Sequence, residues 1–118
     1  MKLLTALFLT LILAVAGLCQ TRAEYRADLV GLGKTKAVFK ARGAQAELQF
    51  EGERLPRNAS FTLQIGDNVW DVVTNGLGRA RVTQRWSRGA PAIDQTSIAL
   101  LLDENGDVVA EGPFRRRR

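Results

Sequence analysis

Ser60-Phe61-Thr62-Leu63-Gln64-Ile65-Gly66-Asp67-Asn68-Val69 is the stretch that decides the fold of this chain. Phe61, Leu63 and Ile65 alternate with Ser60, Thr62 and Gln64, so every second side chain is apolar. Successive side chains of a strand point to opposite faces, and a period of two therefore builds one core face and one wet face. Gly66-Asp67-Asn68 supplies turn chemistry, and the β-branched and aromatic run Val69-Trp70-Asp71-Val72-Val73 follows at once. Strand, tight turn and strand predict a β-hairpin, and one-sided alternation is the mark of an antiparallel sheet.

The same period runs outward in both directions. Tyr25, Ala27 and Leu29 alternate with Arg26 and Asp28; Ala37, Phe39 and Ala41 alternate with Lys36, Lys40 and Arg42; Leu48 and Phe50 oppose Glu47, Gln49 and Glu51. Further strands are expected from Arg79 to Trp86, Ile98 to Leu102 and Val108 to Phe114, with Asn75-Gly76-Leu77-Gly78 and Asn105-Gly106 as turns. Asn-Gly suits a type I′ turn, whose two central residues both need positive φ. Ser87 to Gln95, holding Gly89, Ala90 and Pro91, is a longer connection expected to cross between sheets, and Leu55-Pro56-Arg57-Asn58 is a second break. Strands at intervals of roughly 8 to 12 residues predict an all-β fold, an antiparallel sandwich of about seven or eight strands.

The N-terminus reads differently. Lys2, an almost uncharged apolar run at 3–18 and a close in Thr21-Arg22-Ala23 form the three-part pattern of a secretory signal, here expected as a helix preceding the domain. Cleavage is expected after Ala23, with Ala14-Val15-Ala16 as the alternative site. The apolar run has about 16 residues where a bilayer span needs roughly 20, so no membrane span is expected once the signal is removed. The domains are then a signal at 1–23, a β-domain at 24–114 and a basic tail at 115–118, and the product is expected to be secreted or periplasmic.

Cleavage after Ala23 also removes Cys19, the only cysteine, and the chain has no histidine at all. The domain must fold without a disulfide, and it lacks both usual zinc ligands and the commonest general base. No cofactor is expected. Of the 17 basic residues, Lys2 and Arg22 fall in the signal and four form the run at 115–118, which leaves 11 against 12 acidic residues in the body. A near-neutral body argues against a specific nucleic-acid partner.

Candidate sites are few. Arg79, Arg81 and Arg85 share one strand face with Arg88 just beyond, and they form a possible anion-binding face unless carboxylates such as Glu47, Glu51 and Glu53 pair with them across the sheet. Gly31-Leu32-Gly33-Lys34-Thr35 ends like a phosphate-binding loop, but Asp28 stands where the motif needs its first glycine, so a tight turn is expected. Asp103-Glu104-Asn105-Gly106-Asp107 has the acidity of a calcium loop without its length and reads as a hairpin tip. Trp70 and Trp86 are expected in the core, and Asn58-Ala59-Ser60 is a glycosylation sequon. Asp71 and Asp94 are the carboxylates a hydrolase would have to use.

Taken together, Gly33-Lys34-Thr35-Lys36-Ala37-Val38-Phe39-Lys40, Arg42-Gly43, Ala46-Glu47-Leu48, Phe61-Thr62-Leu63-Gln64-Ile65-Gly66, Asn75-Gly76-Leu77-Gly78-Arg79-Ala80, Leu102-Asp103-Glu104-Asn105-Gly106 and Gly112-Pro113-Phe114 form a pattern. It resembles the small exported bacterial β-sandwich domains of immunoglobulin-like character, though without the paired cysteines of true immunoglobulin domains. The resemblance rests on turn glycines and core positions and implies a fold, not a chemistry. The function expected is that of an exported, non-enzymatic module with a binding or structural role, its partner an envelope protein or an acidic polysaccharide; the alternative is a polyanion or carbohydrate binder using the arginine face.

Overall fold

The computed structural model describes residues 22–117, so the expected signal helix and the apolar run lie outside the described residues. The described chain is all-β. Eight strands follow one another as β1 (Arg22–Gly31), β2 (Lys34–Arg42), β3 (Gln45–Glu53), β4 (Ser60–Ile65), β5 (Asn68–Val73), β6 (Ala80–Trp86), β7 (Ile98–Leu102) and β8 (Val108–Arg117). Every pairing is antiparallel, in the order β5-β4-β7-β8-β1-β2-β3-β6. Among the described residues no helix is long and apolar enough to cross a membrane.

Strand β8 is the hinge of this arrangement. Its first part pairs with β7, and it pairs with β1 as far as Glu24 opposite Arg117. A bulge where Leu102 faces Val108 leaves Val109 as the extra residue, and its carbonyl accepts the Leu32 N–H at 2.9 Å. A bulge bends and twists its strand, which helps the sheet to roll. The roll brings the two edge strands, β5 and β6, together at one end, where the rings of Trp70 and Trp86 meet. A nearly barrel-shaped sheet results.

Alternation becomes packing inside the roll. Ala27 and Leu29 of β1, Ala37 and Phe39 of β2, Leu48 and Phe50 of β3, Phe61, Leu63 and Ile65 of β4, Val72 of β5, Leu101 of β7 and Phe114 of β8 share one core. Phe50, Phe114, Leu48, Leu63 and Leu101 are fully buried, and each contributes about 1.5 to 3 kcal/mol relative to exposure. Leu55 closes one end of the roll, over Gly52 and Thr35. At the other end the connection between β6 and β7 folds inward and buries Ile93.

The two loops beside Leu55 clasp each other. Leu55 N–H donates to the Gly78 carbonyl at 3.0 Å, Asn58 N–H to Asn75 at 3.1 Å, and Thr74 N–H to Ala59 at 2.9 Å. The Thr74 hydroxyl donates to the Pro56 carbonyl at 2.6 Å and accepts the Ala59 N–H at 2.8 Å. Gly78 is required here: its φ is +73°, and a Cβ would sit 2.3 Å from the Leu55 carbonyl oxygen.

Two turns differ from the sequence reading. Asn75-Gly76-Leu77-Gly78 closes no hairpin, because β5 pairs only with β4 and β6 only with β3; the loop crosses from one half of the sheet to the other. Asn105-Gly106 does not make a type I′ turn, since Gly106 has positive φ and Asn105 does not. Asp103 takes over instead: its carbonyl accepts the Gly106 N–H, and its Oδ1 accepts those of Asn105 and Asp107 at 2.9 Å. Aspartate first and glycine fourth is the residue preference of a type I turn.

Candidate anion-binding surfaces

The arginine face is built, but not empty-handed. Arg81 and Arg85 stand on the outer face of β6, and the register sets Glu51 and Glu47 of β3 directly opposite them. Arg81 Nη2 lies 3.3 Å from Glu51, and Arg85 Nε 3.3 Å from Glu47. Arg79 precedes β6, its backbone N–H bound by the Asn75 side chain at 3.0 Å, and Arg88 follows β6 in the long connection. The structure therefore brings only two of the four onto one strand face, each already paired.

Those pairs belong to rows that cross several strands. One row runs Arg81, Glu51, Lys36, Asp28 from β6 to β1, and a second, beyond the intervening row of Thr83, Gln49, Val38, Arg26 and Arg115, runs Arg85, Glu47, Lys40, Glu24, Arg117 from β6 to β8. Lys36 to Glu51 is 3.7 Å, Lys40 to Glu24 is 3.7 Å and Arg117 to Glu24 is 3.6 Å. Opposite charges directly across a sheet attract, but exposed pairs contribute only about 0 to 1 kcal/mol each. Their larger effect is to neutralise this face.

A further group of cations lies at one end of the roll. A cleft of about 790 Å³ opens there, lined by Arg22, Lys40, Arg42, Arg85, Arg116 and Arg117, with Trp86, Ala23, Ala41 and Ala46 as its apolar part. Its carboxylates among the described residues, Glu24 and Glu47, are those already engaged in the second row. Arg22 lies directly opposite Arg42 in the ladder, and Arg116 directly opposite Tyr25. Among the described residues none of Arg22, Arg42 and Arg116 has an ion-pair partner.

Sequence reasoning missed this cleft because two of its parts looked unrelated to the domain. Arg115, Arg116 and Arg117, read as a tail, extend β8 against Arg26, Tyr25 and Glu24. Arg22 and Ala23, read as the end of the signal, open β1 against Arg42 and Ala41. The Arg22 to Arg42 pairing follows from a connection centred on Leu32, which sets Leu29 opposite Thr35, whereas a two-residue turn at Leu32-Gly33 would have set Arg22 opposite Gly43. The Arg116 neighbourhood was not within reach of sequence reasoning, because β8 and β1 lie at opposite ends of the chain.

The remaining candidates have structural tasks. Gly31 to Thr35 is a tight turn between β1 and β2, and Thr35 is buried, where its hydroxyl has no hydrogen-bond partner. Asp103 holds its own hairpin turn, as described above. Asp94 accepts from the Thr96 N–H at 2.8 Å and from the Thr96 hydroxyl, bonds that hold its carboxyl below the ordinary value. Asp71 stands on the outer face of β5 opposite Thr62. Trp70 and Trp86 are half-buried against the core, Trp86 also meeting Phe39 edge to face at 6.2 Å. Asn58 is exposed on the connection between β3 and β4. Among the described residues no group of three or more carboxylates converges as a metal site would require.

No protein-family model matches the chain, and comparison with characterised proteins finds no match.

Proposed function

We propose that the chain is an exported, non-enzymatic β-domain that works by binding or by structure in the periplasm or at the cell surface. The observation that carries this reading is how the carboxylates are used. Glu24, Asp28, Glu47, Glu51 and Glu53 are held in ion pairs across or along the sheet, and Asp94 and Asp103 fix turns. A hydrolytic pair needs two carboxylates in different environments within one cleft; Glu24 and Glu47 do share a cleft, but both are held in the same way, Glu24 by Lys40 and Arg117 and Glu47 by Arg85.

Export rests on Lys2, the apolar run at 3–18 and the small residue Ala23. With the cut after Ala23, β1 keeps its buried residues Ala27 and Leu29 and gives up only its first two ladder positions. The finer reading of the fold as an immunoglobulin-like sandwich belongs to the same proposal. It is supported by two sets of strands, β5-β4-β7-β8 and β8-β1-β2-β3-β6, whose inner faces share one core.

The test is fractionation of the native host followed by intact mass measurement of the envelope form. A product beginning at Glu24, or at Gly17 for the alternative cut, is the expected result. Full-length chain confined to the cytosol would refute export.

A further inference from the structure

We infer that the cleft at the open end of the roll is a binding site for an anion carrying several phosphate or sulfate groups. The inference rests on reading the chain as a binding module, but not on export. The arginine-bearing strand face proposed from sequence is spent on Glu51 and Glu47, whereas the cleft adds Arg22, Arg42 and Arg116, unpaired among the described residues, to Lys40, Arg85 and Arg117, which share Glu24 and Glu47.

Three features point to phosphate or sulfate. First, the cations come from β1, β2, β6 and β8, strands of one sheet, so guanidinium groups are presented from a fixed frame and not from loops. Planar guanidinium forks match the paired oxygens of such anions and lose little freedom on binding them. Second, Arg42 and Arg116 have no ion-pair partner among the described residues, and Arg22, which the cut before Gly17 would retain, lies directly opposite Arg42, an arrangement that repels until an anion lies between them. Third, about 790 Å³ lies within the size range of sites for small ligands, with room for several anionic groups at once. A cut after Ala23 removes the Arg22 guanidinium but places the new α-ammonium of Glu24 at the same rim, so the cleft stays cationic in either form.

Trp86 lines the cleft and gives a direct signal. The protein is purified from its native host, and tryptophan fluorescence is followed during titration with inorganic tripolyphosphate. Saturable binding that weakens as salt rises is expected. Arg42→Gln and Arg116→Gln should each lower the affinity at least about tenfold, while Arg81→Gln, on the outer face beyond the cleft, leaves it unchanged. Glu47→Gln, which releases Arg85, should raise it.

Absence of saturable binding, or equal binding by the doubly substituted Arg42→Gln, Arg116→Gln protein with an unchanged melting temperature, would overturn the site. Specific capture of an envelope protein alongside that negative result would leave the binding-module reading standing. Sedimentation with phosphatidylglycerol-containing vesicles, lost in the same double variant and blocked by tripolyphosphate, would assign the groups to lipid headgroups; binding of tripolyphosphate without sedimentation assigns a soluble anion.

Discussion

Trp70 and Trp86 meet edge to face, ring centroids 6.4 Å apart and planes at 77°, across the seam between the two edge strands. An open sheet leaves unpaired backbone at each edge, and bringing the edges together under an aromatic pair shelters both. Trp86 of the pair also lines the basic cleft.

Trp86→Ala should be the costlier of the two truncations, since Trp86 also packs on Phe39. It is half-buried, so a loss of about 2 to 3 kcal/mol is expected, at the lower edge of the range for buried aromatic residues. Trp70→Ala should cost less. A double-mutant cycle in urea should return a coupling of about 0.5 to 1.5 kcal/mol, and additive losses would mean that the rings do not hold the seam.

Gly78→Ala should be among the most damaging single substitutions. A Cβ there meets the Leu55 carbonyl at 2.3 Å with φ at +73°, whereas at Gly66 and Gly106 it meets nothing within 4 Å. Gly66→Ala and Gly106→Ala therefore carry only the left-handed backbone penalty of about 1 to 2 kcal/mol. Thermal melts of the three variants should rank Gly78→Ala well below the others.

Two buried threonines should respond oppositely to valine. Thr74→Val breaks the hydroxyl bonds to Pro56 and Ala59 and leaves their backbone groups unsatisfied, at a cost of about 1 to 3 kcal/mol. The Thr35 hydroxyl is buried with no partner, so Thr35→Val should be neutral or stabilising. Equal losses at both positions would contradict the clasp.

Asp94 sets a pH dependence. Its folded-state carboxyl is held below the ordinary value of 3.8, chiefly by the Thr96 hydroxyl and then by the Thr96 N–H. A depressed carboxylate contributes stability that is fully present above its unfolded value and is lost as pH falls through its folded value. The melting temperature should thus fall below pH 3.8 more steeply in the wild type than in Asp94→Asn, and parallel curves would show that the turn contributes nothing.

The outer charge rows should be nearly silent in stability. Glu24→Gln removes the partner of both Lys40 and Arg117, yet the loss should stay below about 1 kcal/mol and shrink further in high salt. Denaturant curves at low and high salt read this directly.

The strands were legible because their signal is local. Phe61, Leu63 and Ile65 declare a buried face within five residues, and Gly66-Asp67 declares the turn that follows. Glu47 and Glu51 were rightly named as partners for an arginine strand, since charge complementarity across a sheet can be guessed from alternation alone. The turn at Asp103 was not legible in detail, because its side chain competes with the Asn-Gly preference and wins with two backbone hydrogen bonds.

The sequence by itself determined that the domain following the apolar run is all-β, where its strands alternate and which residues form the core, because a period of two needs only neighbours along the chain. Only the tertiary structure decided which strands lie side by side. Pairing β8 with β1 turned an apparent basic tail into one wall of a cleft, and pairing β6 with β3 neutralised the arginines that had looked functional. Strand pairing joins residues far apart in sequence, and its register follows from how the whole sheet closes on its core; no local pattern encodes it.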